Sequence, residues 1–181
     1  MTTGRCSWAG DDETYIRYHD EEWGVPTHDD RELFEMLVLE SFQAGLSWIT
    51  ILKKRENFRK AFDNFDVEKV ACYSDKKVEE LRQDAGIIRH KGKITSAINN
   101  AEIFIEIQEE FGSFDKYIWG FTDGKIIEHE YLTESDLSKK ISKDLKKRGM
   151  KFVGPTIIYS YLESIGIINN HEEKCFKFKC K

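Results

Sequence analysis

The sequence predicts an all-α protein, and two observations carry that prediction. Only two prolines, Pro26 and Pro155, occur in 181 residues, and the period-two alternation that marks a half-buried strand is scarce. Between those prolines, capping residues and glycines fall at helix-length intervals. Asp29, with Glu32 three residues on, forms a capping box for a helix reaching about Ala44. Gly45 interrupts it, and the chain re-enters helix near Ser47 for a run over 48–62. Asp66 and Ser74 read as N-caps of two short helices, the latter ending near Gly86. A long helix over 88–110 stops at Gly112, and Ser113 opens a short one through Trp119. Residues 122–132, with Asp123-Gly124, read as a loop or small hairpin. A basic helix over 136–148 ends at Gly149, and 150–154 make a tight connection. Pro155 then starts a last helix running to Gly166, because proline suits a first helical position. The sequence shows no repeat, linker or low-complexity segment.

A chain of this length fits one domain, or two small lobes sharing a core, and 40% hydrophobic content is enough to bury that core. No apolar run approaches a membrane span, and Met1-Thr2-Thr3-Gly4-Arg5 lacks the apolar core of a signal peptide. The expectation is a soluble cytoplasmic protein without membrane contact. Reduced thiols follow, so Cys6, Cys72, Cys175 and Cys180 read as buried thiols or metal ligands, not as a disulfide framework. A net charge of −5 excludes a general polycation. Positive charge is nonetheless clustered at Lys53-Lys54-Arg55, at Arg89-His90-Lys91 with Lys93, and over 139–151, where Asp144 is the one acid among the basic residues. Each cluster alone reads as a solvated helix face; together they read as a local phosphate-binding surface.

One carboxylate sits inside the apolar run 36–48. At helical spacing Glu40 shares a face with Leu33, Met36 and Leu37 and so points toward the core. A buried carboxylate must gain hydrogen bonds, gain a positive partner or take up a proton. It is either a structural Glu answered by an arginine or helix-end amides, or part of a pocket walled by Trp48 and the aromatics upstream.

Cys6 and His19 lie near the start of the chain, and His171 and Cys175 lie at i, i+4 spacing near its end, on one face if that segment is helical. Two thiolates and two imidazoles make a closed tetrahedral set suited to zinc. Taken singly, each also reads as a core cysteine or a surface histidine. Near 149–156, a helix end, glycines and a helix start aim unpaired amides outward beside Lys147, Arg148 and Lys151, which suits a phosphate. An ordinary helix-turn-helix corner is the other reading.

These residues together resemble one family. Cys6-x-Trp8, Tyr15-x-x-Tyr18-His19-Asp20-x-Glu22-Trp23-Gly24-Val25-Pro26, Leu39-Glu40-x-x-Gln43-Ala44-Gly45-Leu46-Ser47-Trp48, Ala85-Gly86-Ile87-Ile88-Arg89-His90-x-Gly92-Lys93-Ile94, Lys146-Lys147-Arg148-Gly149-x-Lys151-Phe152-Val153-Gly154 and Asn170-His171 are similar to motifs of the bacterial 3-methyladenine DNA glycosylase I family, constitutive type. The likeness covers nearly the whole chain. It implies an all-α helix-hairpin-helix glycosylase fold, with residues 1–181 as a single catalytic unit of two helical lobes and the base pocket between them. It also implies one structural zinc per chain on Cys6, His19, His171 and Cys175, joining the N- and C-terminal segments.

The implied activity is monofunctional excision of 3-methyladenine from double-stranded alkylated DNA by a monomer, with the free base as product. By motif position, Glu40, Tyr18 and Trp48 hold the extruded base, and Trp8, Tyr15 and Trp23 are other aromatics around it. Leu46 matches a loop near the DNA stack. Lys147, Lys151, Val153 and Gly154 belong to the hairpin that grips the backbone. Phe42 and the loop 122–132 do not match the family pattern, and the shortened tail leaves Cys180 unassigned.

The chemistry is consistent with those residue types. A base must leave the duplex to be reached, and methylation at N3 makes adenine cationic. An aromatic wall attracts that cation, and a carboxylate opposes its charge while accepting from the exocyclic amine. The cationic base also leaves as a neutral purine, so a strong general base is less necessary; the stretch 167–171 after the last helix carries no carboxylate. Two other classes remain on residue pattern alone: a zinc-stapled DNA-binding module without catalysis, which needs neither Glu40 nor Trp48, and a small-nucleoside hydrolase, which needs no hairpin.

Overall fold

The computed structural model describes residues 4–178, so Cys180 lies outside the described residues. Its helices are α1 (Glu13–Glu21), α2 (Asp30–Gln43), α3 (Trp48–Ala61), α4 (Val67–Ala71), α5 (Asp75–Gln83), α6 (Lys91–Phe111), α7 (Phe114–Gly120), α8 (Asp136–Lys147) and α9 (Pro155–Ser164). Two short 3-10 turns (Ser7–Ala9 and Asp63–Phe65) and two short strands, β1 (Ile127–Glu128) and β2 (Ile168–Asn169), complete the described elements. The starts follow local chemistry: side chains of Asp29, Asp66, Ser74 and Ser113 accept from the backbone N–H three residues on. Gly112 closes α6 at φ 88°, a left-handed position that glycine takes without strain.

Helix α2 is the axis of the fold. Residues 33–42 are all buried because α3, α6, α7 and α9 pack around it, which is the pattern of a helix enclosed on every side. Distant polar groups tie the ends in. Lys93 Nζ donates to the carbonyls of Phe42 (2.8 Å) and Ala44 (2.6 Å) at the end of α2, and Asp30 accepts from the Phe114 and Asp115 N–H groups that start α7. No helix among the described residues is long and apolar enough to cross a membrane.

The structure departs from the sequence expectations in five places. Helix α1, capped by Asp12, has no counterpart in the predicted elements. The long helix begins at Lys91 and not at 88, because the His90 ring accepts from Lys93 N and caps it there. The segment 122–132, read as a loop or small hairpin, is mostly turn and loop, but it also carries β1, which pairs not locally but in parallel with β2, Ile127 opposite Ile168. The stretch containing His171 and Cys175 is turn and not helix. Cys72, read as a buried thiol or ligand, is exposed.

The basic clusters also resolve into structure. Lys53 pairs with Asp12, Lys54 donates to Ala85 O, and Arg55 is held by Glu22 and Glu35. Lys93 is the buried cap just described. Arg148, placed at the phosphate corner by sequence, is instead bound by Glu110 and Asp144 and lies over the Phe111 and Tyr117 rings. Lys147 and Lys151 remain exposed beside the 148–154 connection.

Candidate active site

A cavity of about 190 Å³ opens between the end of α1, the last turn of α2, the first turn of α3 and α9. Trp8, Tyr15, Tyr18, Trp23, Glu40, Gln43, Trp48, Ser160 and Glu163 line it. A cavity of roughly 150 Å³ admits a benzene ring, so this one has room for an aromatic ligand. Its walls are aromatic: the Tyr18 and Trp48 ring centroids lie 5.6 Å apart, and Trp8 stands edge-on to Tyr15 at 5.0 Å and to Trp23 at 4.9 Å.

Two buried polar atoms in this wall have no protein partner, Glu40 Oε2 and Trp48 Nε1. Buried polar groups are almost always satisfied, so an unpaired acceptor and an unpaired donor on two residues that line one cavity mark a place for a ligand with both functions. Burial holds the Glu40 carboxyl well above its usual range, and Glu163 pushes the same way. Burial also raises the Tyr18 phenol well above its usual range, followed by Glu40, so its O–H stays a donor.

Helix α2 contains its own control. Glu35, also buried, accepts from Arg55 Nε at 2.6 Å and Arg59 Nε at 2.9 Å. It is the structural glutamate that arginine answers; Glu40 has no such partner. A larger depression of about 710 Å³ runs past Glu22, Arg31, Glu35, Arg55 and Arg59. Its two central arginines, Arg55 and Arg59, are paired with Glu22, Glu35 and Glu56, and none of its lining residues has an unpaired buried atom, so chemistry and not size picks out the aromatic cavity.

The cavity backs onto a second cluster. Cys6, His19, His171 and Cys175 are buried and offer four donor atoms within 4.8 Å of one another, a group that could hold a metal ion. His19 Nδ1 bonds Asp20 Oδ1 at 2.7 Å, which turns Nε2 inward to within 3.4 Å of Cys175 Sγ. His171 Nε2 lies 3.1 Å from Trp23 O, which leaves Nδ1 3.5 Å from each sulfur. Such outer partners fix tautomer and orientation. Arg5 holds the Asp20 carboxyl down at about 2, with the His19 bond acting the same way, so it stays ionised. Gly24, at φ 74°, lets the chain pass His171: a Cβ there would meet Nε2 at 3.0 Å. Trp23 packs edge-on to His171 at 4.7 Å and Trp8 edge-on to His19 at 5.3 Å, so the cluster buttresses one aromatic wall.

The 148–154 connection is pinned by its carbonyls. Asn99 binds Gly149 O, Asn100 binds Lys151 O, Ser41 binds Phe152 O and Ser142 binds Val153 O, at 2.7 to 3.1 Å. Among the described residues the N–H groups of Phe152, Val153 and Gly154 make no hydrogen bond. Amides left free beside Lys147, Lys151 and the start of α9 are chemically suited to receive an anion. Leu46 stands 40% exposed in the turn between α2 and α3.

The profile of the methyladenine glycosylase family matches residues 8–178, all but the two ends of the chain. The chain belongs to the methyladenine glycosylase family. DNA-3-methyladenine glycosylase 1 of Escherichia coli is 48% identical over 177 residues, which cover 94% of this chain and 95% of that protein. A crystal structure of 3-methyladenine DNA glycosylase I (TAG) agrees at TM-score 0.94 with 46% identity, over 97% of this chain and 100% of that one. A variant of 3-methyladenine DNA glycosylase I solved in complex with 3-methyladenine agrees at TM-score 0.92 with 37% identity, over 95% and 96%.

The structure brings Glu40, Tyr18, Trp48, Trp8, Tyr15 and Trp23 to one cavity. It sets Leu46 and the residues of the 148–154 edge outside that lining. Sequence reasoning missed Gln43, Ser160 and Glu163 as lining residues. Glu163 carried a signal like that of Glu40, the one carboxylate within an otherwise uncharged helix.

Proposed function

We propose that this chain is a monofunctional DNA glycosylase that turns 3-methyladenine out of alkylated double-stranded DNA and excises it, leaving an abasic site and the free base. The observation that supports it is the unpaired Glu40 carboxyl, 3% exposed, in an aromatic cavity with no arginine to answer it. A cationic ring supplies what the cavity lacks. Trp48 and Tyr18 stack on or edge the flipped base, and Glu40 accepts from its exocyclic amine and opposes its charge. Trp8, Tyr15 and Trp23 complete the wall and exclude water.

The bond from the purine to C1′ breaks with both electrons going to the base, which leaves neutral. The sugar cation takes up water and loses a proton, and the carboxylate field is complementary to the positive charge throughout. Glu40 and Tyr18 are the catalytic pair in this reading. Val153 and Gly154 amides with Lys147 and Lys151 take the phosphates, the geometry of a helix-hairpin-helix, and Leu46 fills the stack near the vacated base. Residues 1–181 act as a single unit of two helical lobes, with the pocket between them, in a cytoplasmic monomer.

Cys6, His19, His171 and Cys175 would hold one structural zinc. Zinc at about 2.3 Å from sulfur and 2.0–2.1 Å from nitrogen sets tetrahedral S···N edges of roughly 3.5 Å, and the S···N separations here are 3.4 and 3.5 Å. When bound, the ion neutralises the thiolates and joins the chain ends; with four protein ligands it leaves no place for reactive water.

Duplex DNA treated with a methylating agent should release free 3-methyladenine and retain an intact abasic strand, whereas a methylated nucleoside should turn over poorly. Binding without release would support the non-catalytic DNA-binding module instead. Trp48→Ala should lower release by about 10- to 100-fold, the scale of one lost base-stacking contact. The double change Lys147→Ala and Lys151→Ala should weaken binding to all DNA sequences alike and flatten the log affinity against log salt slope by about 2, one per phosphate contact. An unchanged slope would remove these lysines from the DNA edge.

A further inference from the structure

The cavity holds a second carboxylate that the reading above does not use. Glu163 lies one helical turn from Ser160 on α9, and both line the cavity with Glu40. Its Oε2 accepts a 3.3 Å hydrogen bond from Asn170 Nδ2, which also donates to Tyr159 Oη at 2.8 Å. Asn170 is locked in that orientation because its Oδ1 accepts from the Glu130 and Tyr131 N–H groups at 2.9 and 3.1 Å. Glu163 is thus oriented by a fixed amide and carries no positive partner.

The lining contains two acids and no Lys, Arg or His. The titratable and polar groups around the pair are Tyr18 and Tyr15 on α1, Gln43 on α2, Tyr159 and Tyr161 on α9 and Glu130 after β1. Arg55, a cation whose charge is felt at Tyr18, is already held by Glu22 and Glu35. Burial lifts Glu163 to about 7, the Asn170 bond acting against it and Glu130 with it. An acid-only, largely desolvated cavity with one carboxyl oxygen unpaired is balanced by bound protons until a cation enters.

We propose that Glu163 is a specificity-determining residue which, with Glu40, makes the cavity a proton-for-cation exchanger: one carboxyl proton passes to water as one purinium cation enters. A permanently charged purine gains the carboxylate that the released proton uncovers, shared between Glu163 and Glu40, whereas a neutral purine gains no such charge and displaces no proton. The inference rests on the proposed base-binding function of this cavity. It adds a charge filter to the filter of shape, which alone discriminates weakly between a base and its methylated form.

The test uses the full chain with its metal, the fixed cation 3,9-dimethyladeninium, and neutral 9-methyladenine, with binding read by quenching of tryptophan fluorescence from pH 5.5 to 8.5. For the unaltered protein, cation affinity should rise with pH and level off above about 7, because the protonated carboxyl competes at lower pH. Binding in weak buffer at pH 6.5 should release protons to an indicator dye. Glu163→Gln, which keeps a hydrogen-bonding group toward Asn170, should lose the rise near pH 7 and bind the cation about tenfold more weakly at pH 8. Its affinity for 9-methyladenine and its metal content should hold. A variant with unaltered cation affinity and pH profile would overturn the inference, as would cation binding by the unaltered protein without proton release. The proton measurement needs no variant and stands if Glu163→Gln fails to fold. Failure of the unaltered protein to bind either purine would overturn the base-site reading itself.

Discussion

Glu40→Gln should give a folded, metal-containing protein that releases 3-methyladenine about 10- to 150-fold more slowly, the loss of one charge-assisted hydrogen bond of roughly 1.5 to 3 kcal/mol. Glutamine keeps the size and can still accept from the exocyclic amine; only the charge is removed. Stability should move the other way. The folded Glu40 carboxyl sits well above its usual range through burial and then Glu163, while the unfolded one titrates near 4.3. Below that pH both states are protonated and the variant gains nothing. As pH rises above it, the unfolded state loses its proton first, so the unaltered protein loses stability that the variant keeps. Melting curves from pH 4 to 8 should therefore show a Tm difference in favour of Gln that grows with pH. A well-folded variant with full release and full affinity for free 3-methyladenine would return Glu40 to the status of a core residue.

Cys175→Ser should have the largest effect on the fold. Cys6 and His171 lie 165 positions apart and meet within 3.5 Å, so a metal here closes nearly the whole chain. A cross-link over such a loop contributes on the order of 5 kcal/mol in the chain-entropy view, against a total stability of about 5–15 kcal/mol. The variant should lose metal and melt at least about 10 °C lower, at roughly 2–4 °C per kcal/mol for a chain of this size. The purified unaltered protein should contain about one zinc per chain, the content of one closed structural site, and a chelator should lower its Tm. Because Trp8 and Trp23 pack on His19 and His171, base affinity should fall together with metal content. A metal-free preparation of undiminished Tm would exclude the structural role.

What the sequence determined by itself is local in range. Asp29, Asp66, Ser74, Ser113, Gly112 and Pro155 act within three or four residues, so their helix starts and stops were legible without any neighbour. The donor types of the Cys6, His19, His171 and Cys175 group and the aromatic and acidic content of the pocket were legible for the same reason, as residue chemistry in ordered motifs. Tertiary structure decided what each long side chain meets.

Glu35 and Glu40 stand five residues apart on one buried helix, and only the position of Arg55 and Arg59 on α3 makes the first a satisfied ion pair and the second an open site. The basic clusters looked alike in sequence. Packing gave Lys93 the end of α2, Arg148 two acids and two rings, and left Lys147 and Lys151 facing solvent. Glu163 joins the cavity because α9 crosses α2 there. The parallel β1–β2 pair likewise joins segments some forty residues apart. Partner choice for a flexible charged side chain costs or gains free energy only where another element places a counter-charge and removes water, and that placement is a property of the packed chain, not of any window of its sequence.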